Sequence, residues 1–163
     1  MTVTDVRKSP EELTLTLTCE FDAPVDRVWQ LWADPRLLER WWGPPTYPAT
    51  VVEHELAPGG SVTYYMTGPE GDRHHGWWKV TGVEAPTRLT FDDGFADAEG
   101  NPSTDMPVTS AVVTLAAAGD GRTRMVIQSR FPSLESMNRL VEMGMEEGMT
   151  LALGQADALL LGV

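Results

Sequence analysis

The sequence has one cysteine, few cations and no long apolar run, and each shortage closes off a class of function. Cys19 has no second thiol in the chain to pair with, so neither an internal disulfide nor a cysteine metal cluster can form. Its leucine-rich surroundings lead to the expectation of a buried, unreactive thiol. Lysine and arginine number 12 against 24 aspartates and glutamates, a net charge of −12. Such a surface repels nucleic-acid phosphates and anionic membranes at long range and leaves basic partners open. No apolar segment approaches the roughly 20 residues that cross a bilayer. The start, Met1 to Arg7, also lacks the apolar stretch of a signal peptide, so the expected location is cytoplasmic. No Gly-x-Ser-x-Gly elbow and no helical His-x-x-x-His pair is present, which argues against nucleophilic serine chemistry and against a zinc site.

What the chain does have is tryptophan: six in all, with Trp29, Trp32, Trp41 and Trp42 inside fourteen residues that end at Gly43-Pro44-Pro45. The segment reads as two short helices, one opening after Pro24 and one after Asp34, where an N-cap aspartate is followed by Pro35 at the first helical position. Before them, Leu13, Leu15, Leu17, Cys19 and Phe21 alternate strictly with polar residues and predict a half-buried strand. From Ala49 to about Phe131, turn signals at Pro58-Gly59-Gly60, Gly68 to Asp72 and Ala118 to Gly121 divide strand-like stretches into an antiparallel meander. Gly94 to Pro107 has two prolines and little periodicity, and is expected to be a long mobile loop. From Pro132 a single helix is expected to run to about Leu161, with Gly144, Gly148, Ala152 and Ala156 stacked as a stripe of small residues. Two glycines inside a helix cost about 1 kcal/mol each relative to alanine. Either the sheet must approach closely there, or room is being kept for a ligand. The whole, residues 1–163 with a core from about 13 to 161, reads as one α+β domain in which a curved sheet wraps the last helix.

Six strings in order carry a family resemblance: Phe21-Asp22-Ala23-Pro24 through Val28-Trp29, Trp41-Trp42-Gly43-Pro44, Pro58-Gly59-Gly60, Met66-Thr67-Gly68-Pro69, Gly76-Trp77-Trp78-Lys79-Val80 and Gly144-Met145-Glu146-Glu147-Gly148-Met149. Together they resemble the helix-grip, START-like (SRPBCC) superfamily, and within it the family named after activators of the ninety-kilodalton heat-shock-protein ATPase. The resemblance implies roughly six or seven antiparallel strands gripping the C-terminal helix, with a cavity between them that often takes hydrophobic small molecules. It does not imply a chemistry, because the superfamily includes lipid carriers, hormone receptors and polyketide cyclases. Many relatives carry tryptophan directly after the helix glycine, whereas here Met149 follows Gly148.

Parity along the strands nominates the residues that face this cavity. Val52, His54 and Leu56 share one side of a strand, so His54 is expected to face inward, as is Asp93, which shares parity with Leu89, Phe91 and Phe95. A carboxylate in an apolar cavity would have a raised pKa or a paired partner, and His54 could be that partner. Trp78 is assigned inward with Val80, leaving Trp77 with Lys79 and Thr81. The candidate ligand-binding set is Trp42, His54, Tyr64, Met66, Trp78, Phe91, Asp93, Met125, Met145 and Met149, with methionines suited to an irregular apolar pocket as well as to ordinary core. Asp97, Glu99 and Asn101 alternate faintly like a calcium loop, but the glycine and closing glutamate are out of register. The leading expectation is a protein that binds a small hydrophobic or aromatic molecule, with no cofactor and no metal, and a homodimer is compatible with it. Two alternatives remain open. One is a cyclase or aromatase type of enzyme using His54 or Asp93 as base and Tyr64 as hydrogen-bond donor. The other is a co-chaperone-like interaction module using an exposed Trp41-Trp42 surface.

Overall fold

In a computed structural model that describes residues 3–161, the alternating row Leu15, Leu17, Cys19 and Phe21 is fully buried and forms the inner face of strand β2 (Thr14–Phe21). The outermost residues of the expected 1–163 domain, 1–2 and 162–163, lie outside the described residues. Strand β1 (Val3–Ser9) precedes β2 and pairs with it along an edge of the sheet. The edge position explains why β1 lacks a sequence signature: only Val3, Val6 and Ser9 are half-buried, and the rest is exposed and polar.

Helices α1 (Val25–Ala33) and α2 (Pro35–Trp41) follow β2, with the Asp34 carboxylate accepting from the Arg36 amide at the start of α2. The meander comprises β3 (Ala49–His54), β4 (Ser61–Thr67), β5 (Arg73–Glu84), β6 (Arg88–Ala96), β7 (Thr109–Ala117) and β8 (Thr123–Arg130). The eight strands form one antiparallel sheet in the order β1-β2-β8-β7-β6-β5-β4-β3. Helices α1 and α2 therefore carry the chain from β2 to the far edge, and the meander walks back until β8 pairs with β2.

Two expectations about the later part of the chain are corrected. The single C-terminal helix is two helices, α3 (Leu134–Glu142) and α4 (Met145–Leu160), separated at Gly144, whose φ of 91° is left-handed. Only glycine enters that region at no steric cost, so Gly144 breaks the helix instead of lining its interior. Ser133 caps α3 by accepting from the Ser136 amide. The loop expected from Gly94 to Pro107 begins later, running over 97–108 between β6 and β7, and hydrogen bonds hold it at several points. β6 continues to Ala96, the Asp97 carboxylate accepts from the Glu99 and Asn101 amides, and the Ser103 amide donates to the Phe95 carbonyl. The acid-rich composition hid these local side-chain-to-backbone bonds, which substitute for periodicity.

The core lies between the inner face of the sheet and the helices. Trp32 and Leu31 from α1, Leu38 and Trp41 from α2, and Ala152, Leu153 and Ala156 from α4 are buried against Val80, Phe91, Val113, Met125 and Ile127. Cys19 is buried in this core, and burial pushes its thiol up to about 12, well outside the reactive range. No described helix is long and apolar enough to cross a membrane.

Candidate functional site

Between the sheet and the α3–α4 junction lies a cavity of about 320 Å³. Its sheet wall is built from Tyr64 and Met66 on β4, Gly76 on β5, Phe91, Asp93 and Phe95 on β6, Thr109 and Ala111 on β7, and Ile127 and Ser129 on β8. Its helical wall is Leu140, Met145, Gly148, Met149, Ala152 and Leu153, with Trp42 at the end of α2 closing one side. Successive strands deliver these residues because alternate positions face the helix, and the antiparallel register sets Tyr64 opposite Gly76 and Asp93 opposite Thr109.

The glycines divide by role. A Cβ on Gly76 would fall 2.5 Å from the Tyr64 ring and hydroxyl, so the missing side chain is what lets Tyr64 lie across β5. At Gly148 a Cβ would meet nothing within 4 Å. Of the two reasons that could offset a glycine in α4, close approach of the sheet is therefore excluded and open space is present. Gly144 serves the helix break described above.

An aromatic cluster backs the cavity. Trp78 stacks on Phe91 with centroids 4.1 Å apart and planes 16° apart, and Trp42 meets Trp78 edge-on at 4.8 Å. Trp32 touches Trp41, Trp42, Trp78 and Phe91. The position of Trp42 is held from α4: the Gln155 amide donates to the Gly43 carbonyl at 2.6 Å and reaches the Trp41 carbonyl at 3.5 Å. The Trp41 indole donates to the Leu31 carbonyl at 2.9 Å. Trp41 is buried and Trp42 faces the cavity, so this pair forms no exposed aromatic patch, contrary to what an interaction surface built on it requires.

The polar groups are few. The Thr109 hydroxyl donates to Asp93 Oδ1 at 2.5 Å. Burial pushes the Asp93 carboxyl up to about 6, the Thr109 bond pulls it back in part, and the neighbouring Asp92 charge adds to the rise. The Tyr64 hydroxyl is also raised, first by burial and then by the Asp93 charge, while the nearby Trp42 and Trp78 indole N–H groups act in the opposite direction. Neither indole meets hydrogen-bond geometry, and both N–H groups are buried without a partner. Among the described residues no three His, Cys, Asp or Glu side chains come together as a metal set.

The structure places Trp42, Tyr64, Met66, Phe91, Asp93, Met145 and Met149 around the cavity. Trp78, His54 and Met125 lie outside its lining. Trp78 does point inward, but it sits behind Phe91 and Trp42 as the second layer of the wall. His54 Nε2 donates to the Trp32 carbonyl at 2.9 Å, capping the end of α1 instead of reaching Asp93. His54 is half-buried and turned toward α1, whereas Val52, expected on the same side, is 66% exposed because the register shifts between Val51 and Glu53. Met125 receives the Trp32 indole N–H at 3.3 Å and is consumed by core packing. Thr109 and Ser129 in the lining, and Gln155 behind Trp42, are neighbours of the cavity that sequence reading passes over. Thr109 and Ser129 share parity with the buried Ala111 and Ile127, which is the signal that could have found them, whereas nothing local marks Gln155.

A sequence profile for the family described as Activator of Hsp90 ATPase homolog 1-like protein matches residues 22–160. Among solved structures, a protein from Arthrobacter aurescens is 53% identical, with a TM-score of 0.95 over 99% of this chain and 94% of that one. A protein from Mycobacterium smegmatis is 51% identical, with a TM-score of 0.89 over 97% of this chain and 96% of its own. At 26% identity, a protein from Staphylococcus epidermidis still superposes with a TM-score of 0.84 over 98% of this chain and 94% of that one. No curated protein matches the chain.

Proposed function

Because the chain belongs to the Activator of Hsp90 ATPase homolog 1-like family, whose α+β fold it shares, we propose that it binds a small hydrophobic or aromatic molecule between the sheet and α4. The observation that carries this reading is the cavity of about 320 Å³ beside Gly148, where a helix interior forgoes a side chain that would fit. A volume of this size lies at the lower end of small-molecule sites, about 300–1,000 Å³. Aromatic rings and methionines supply apolar contact, and Tyr64, Asp93 and Thr109 supply a small polar end that fixes orientation. The candidate binding residues on this reading are Trp42, Tyr64, Met66, Phe91, Asp93, Met145 and Met149, with His54, Trp78 and Met125 supporting them from behind.

Uptake of the neutral dye Nile red, read as a blue-shifted fluorescence rise, tests the reading together with native mass spectrometry of gently purified protein. Saturable dye uptake that a co-purifying molecule or an added aromatic competes away is the expected result. An absence of dye uptake, with only the bare chain mass, would count against it.

A cyclase-type activity is the second reading, favoured by one observation: Asp93 and Tyr64 both line the cavity, so a base and a hydrogen-bond donor share one void. In it Asp93 would accept a proton from carbon while Tyr64 donates to the resulting enolate oxygen. His54 has no part in it, being bonded to α1. Turnover of a polyketone by the wild type that survives Asp93→Asn unchanged would remove this reading.

A further inference from the structure

The cavity lining contains one acidic side chain, Asp93, and no lysine or arginine among the described residues. The other titratable groups that line it are Tyr64, His74 and His75, and His74 is engaged by the Asp72 carboxylate at 2.5 Å. Within the chain, Thr109 is the one side chain that hydrogen-bonds Asp93 among the described residues. A carboxylate in an apolar enclosure with a hydroxyl donor and no cation is an uncompensated charge, and folded proteins ordinarily pair such groups. The aromatic rings of Trp42, Tyr64, Phe91 and Phe95 line the same enclosure. Their faces are electron-rich and attract cations, most strongly where water is excluded.

We infer that the cavity selects a hydrophobic amine, an apolar or aromatic body bearing one protonated nitrogen, whose charge Asp93 neutralises while the rings of Trp42, Tyr64 and Phe91 supply cation–π contact. The inference rests on the ligand-binding reading above and adds to it the sign of the ligand's charge. A carboxylate on the same body would place two anions in one low-dielectric space, where like charges repel strongly. A neutral alcohol could donate one hydrogen bond to Asp93 but would leave its charge unmatched. A charge-assisted bond is about twice as strong as a neutral one. The surface charge of −12 acts in the same direction, concentrating cations and depleting anions around the cavity mouth.

The test compares three probes that share one body, 1-naphthylmethylamine, 1-naphthylmethanol and 1-naphthoic acid, as competitors of Nile red at neutral pH on the wild type. The amine is expected to bind at least about tenfold more tightly than the alcohol, with the acid weakest. In Asp93→Asn the affinities of the amine and the alcohol, each read directly by titration calorimetry, are expected to converge, erasing the advantage of the amine. Equal binding of amine and alcohol, or tightest binding by the acid, overturns the inference while leaving the cavity a ligand site. An amine advantage that persists in Asp93→Asn overturns the assignment to Asp93. Failure of Nile red and all three probes to enter the wild type removes the ligand-binding reading itself, and the inference with it.

Discussion

Asp93 and His54 show how two inward-facing polar residues can carry opposite meanings. The Asp93 carboxyl is pushed up to about 6 in the folded chain, against an ordinary value near 3.8. Folding therefore favours its protonated form. Below about pH 4 the group is neutral folded or unfolded and costs nothing. As pH rises toward 6 the unfolded chain ionises first, and stability falls until the folded carboxyl has ionised as well. The full penalty above pH 6 is on the order of 3 kcal/mol. Asp93→Asn, which can still accept from Thr109, should raise the melting temperature by several degrees at pH 8 and leave it nearly unchanged at pH 4. Thermal scans of both proteins across that range would show the difference opening between pH 4 and 6, and a constant offset would refute it. His54 should behave as plain structure. Removing its bond to the Trp32 carbonyl in His54→Ala should cost about 1 kcal/mol in urea unfolding and leave Nile red uptake unaltered.

Among the elements, α4 holds the most direct test of why the chain keeps glycine where alanine would fit. Gly148→Ala should stabilise the protein by about 1 kcal/mol, because it gains helix propensity without a clash. Gly148→Leu should fold as well, yet exclude Nile red by occupying the cavity. Should Gly148→Leu take up the dye as the wild type does, the cavity beside α4 is not where the dye resides.

The elements also show what a sequence can convey. β2 is legible because one face is wholly buried while the other, Thr16, Thr18 and Glu20, is polar and half-buried, so the period of two is undiluted from Leu15 to Phe21. The inward direction of Asp93 is legible for the same reason, from its parity with the buried Leu89 and Phe91. The bulge at Val52 is not, since one extra residue inverts the parity of everything after it and no local composition announces it. The break at Gly144 is hidden differently: helix-forming residues surround it on both sides, and a glycine within such a run reads equally as helix interior or helix end. Trp78 illustrates a further limit, because alternation reveals which face a ring occupies and not whether another ring stands in front of it.

For the molecule as a whole, the imbalance of 24 acids against 12 bases is a long-range field superimposed on a local site. Steering by such a field acts on association and is screened within about 8 Å at physiological salt. The association rate of 1-naphthylmethylamine should fall as sodium chloride is raised, whereas that of 1-naphthylmethanol should stay flat. Stopped-flow mixing at several ionic strengths reads both, and parallel salt dependence for the two probes would show that net charge plays no part in capture.

The pairing of β2 with β8 has a consequence during synthesis. Thr14 to Phe21 emerge early from a ribosome, but their permanent neighbours, Thr123 to Arg130, are translated only after the whole intervening meander. Until then the oily side of β2 lacks its lateral partner, and the sheet cannot be completed by local contacts alone. The cavity closes later still, since its helical wall, α3 and α4, is translated after all eight strands. Until α4 has been made and docked on the sheet, the cavity lacks its second wall.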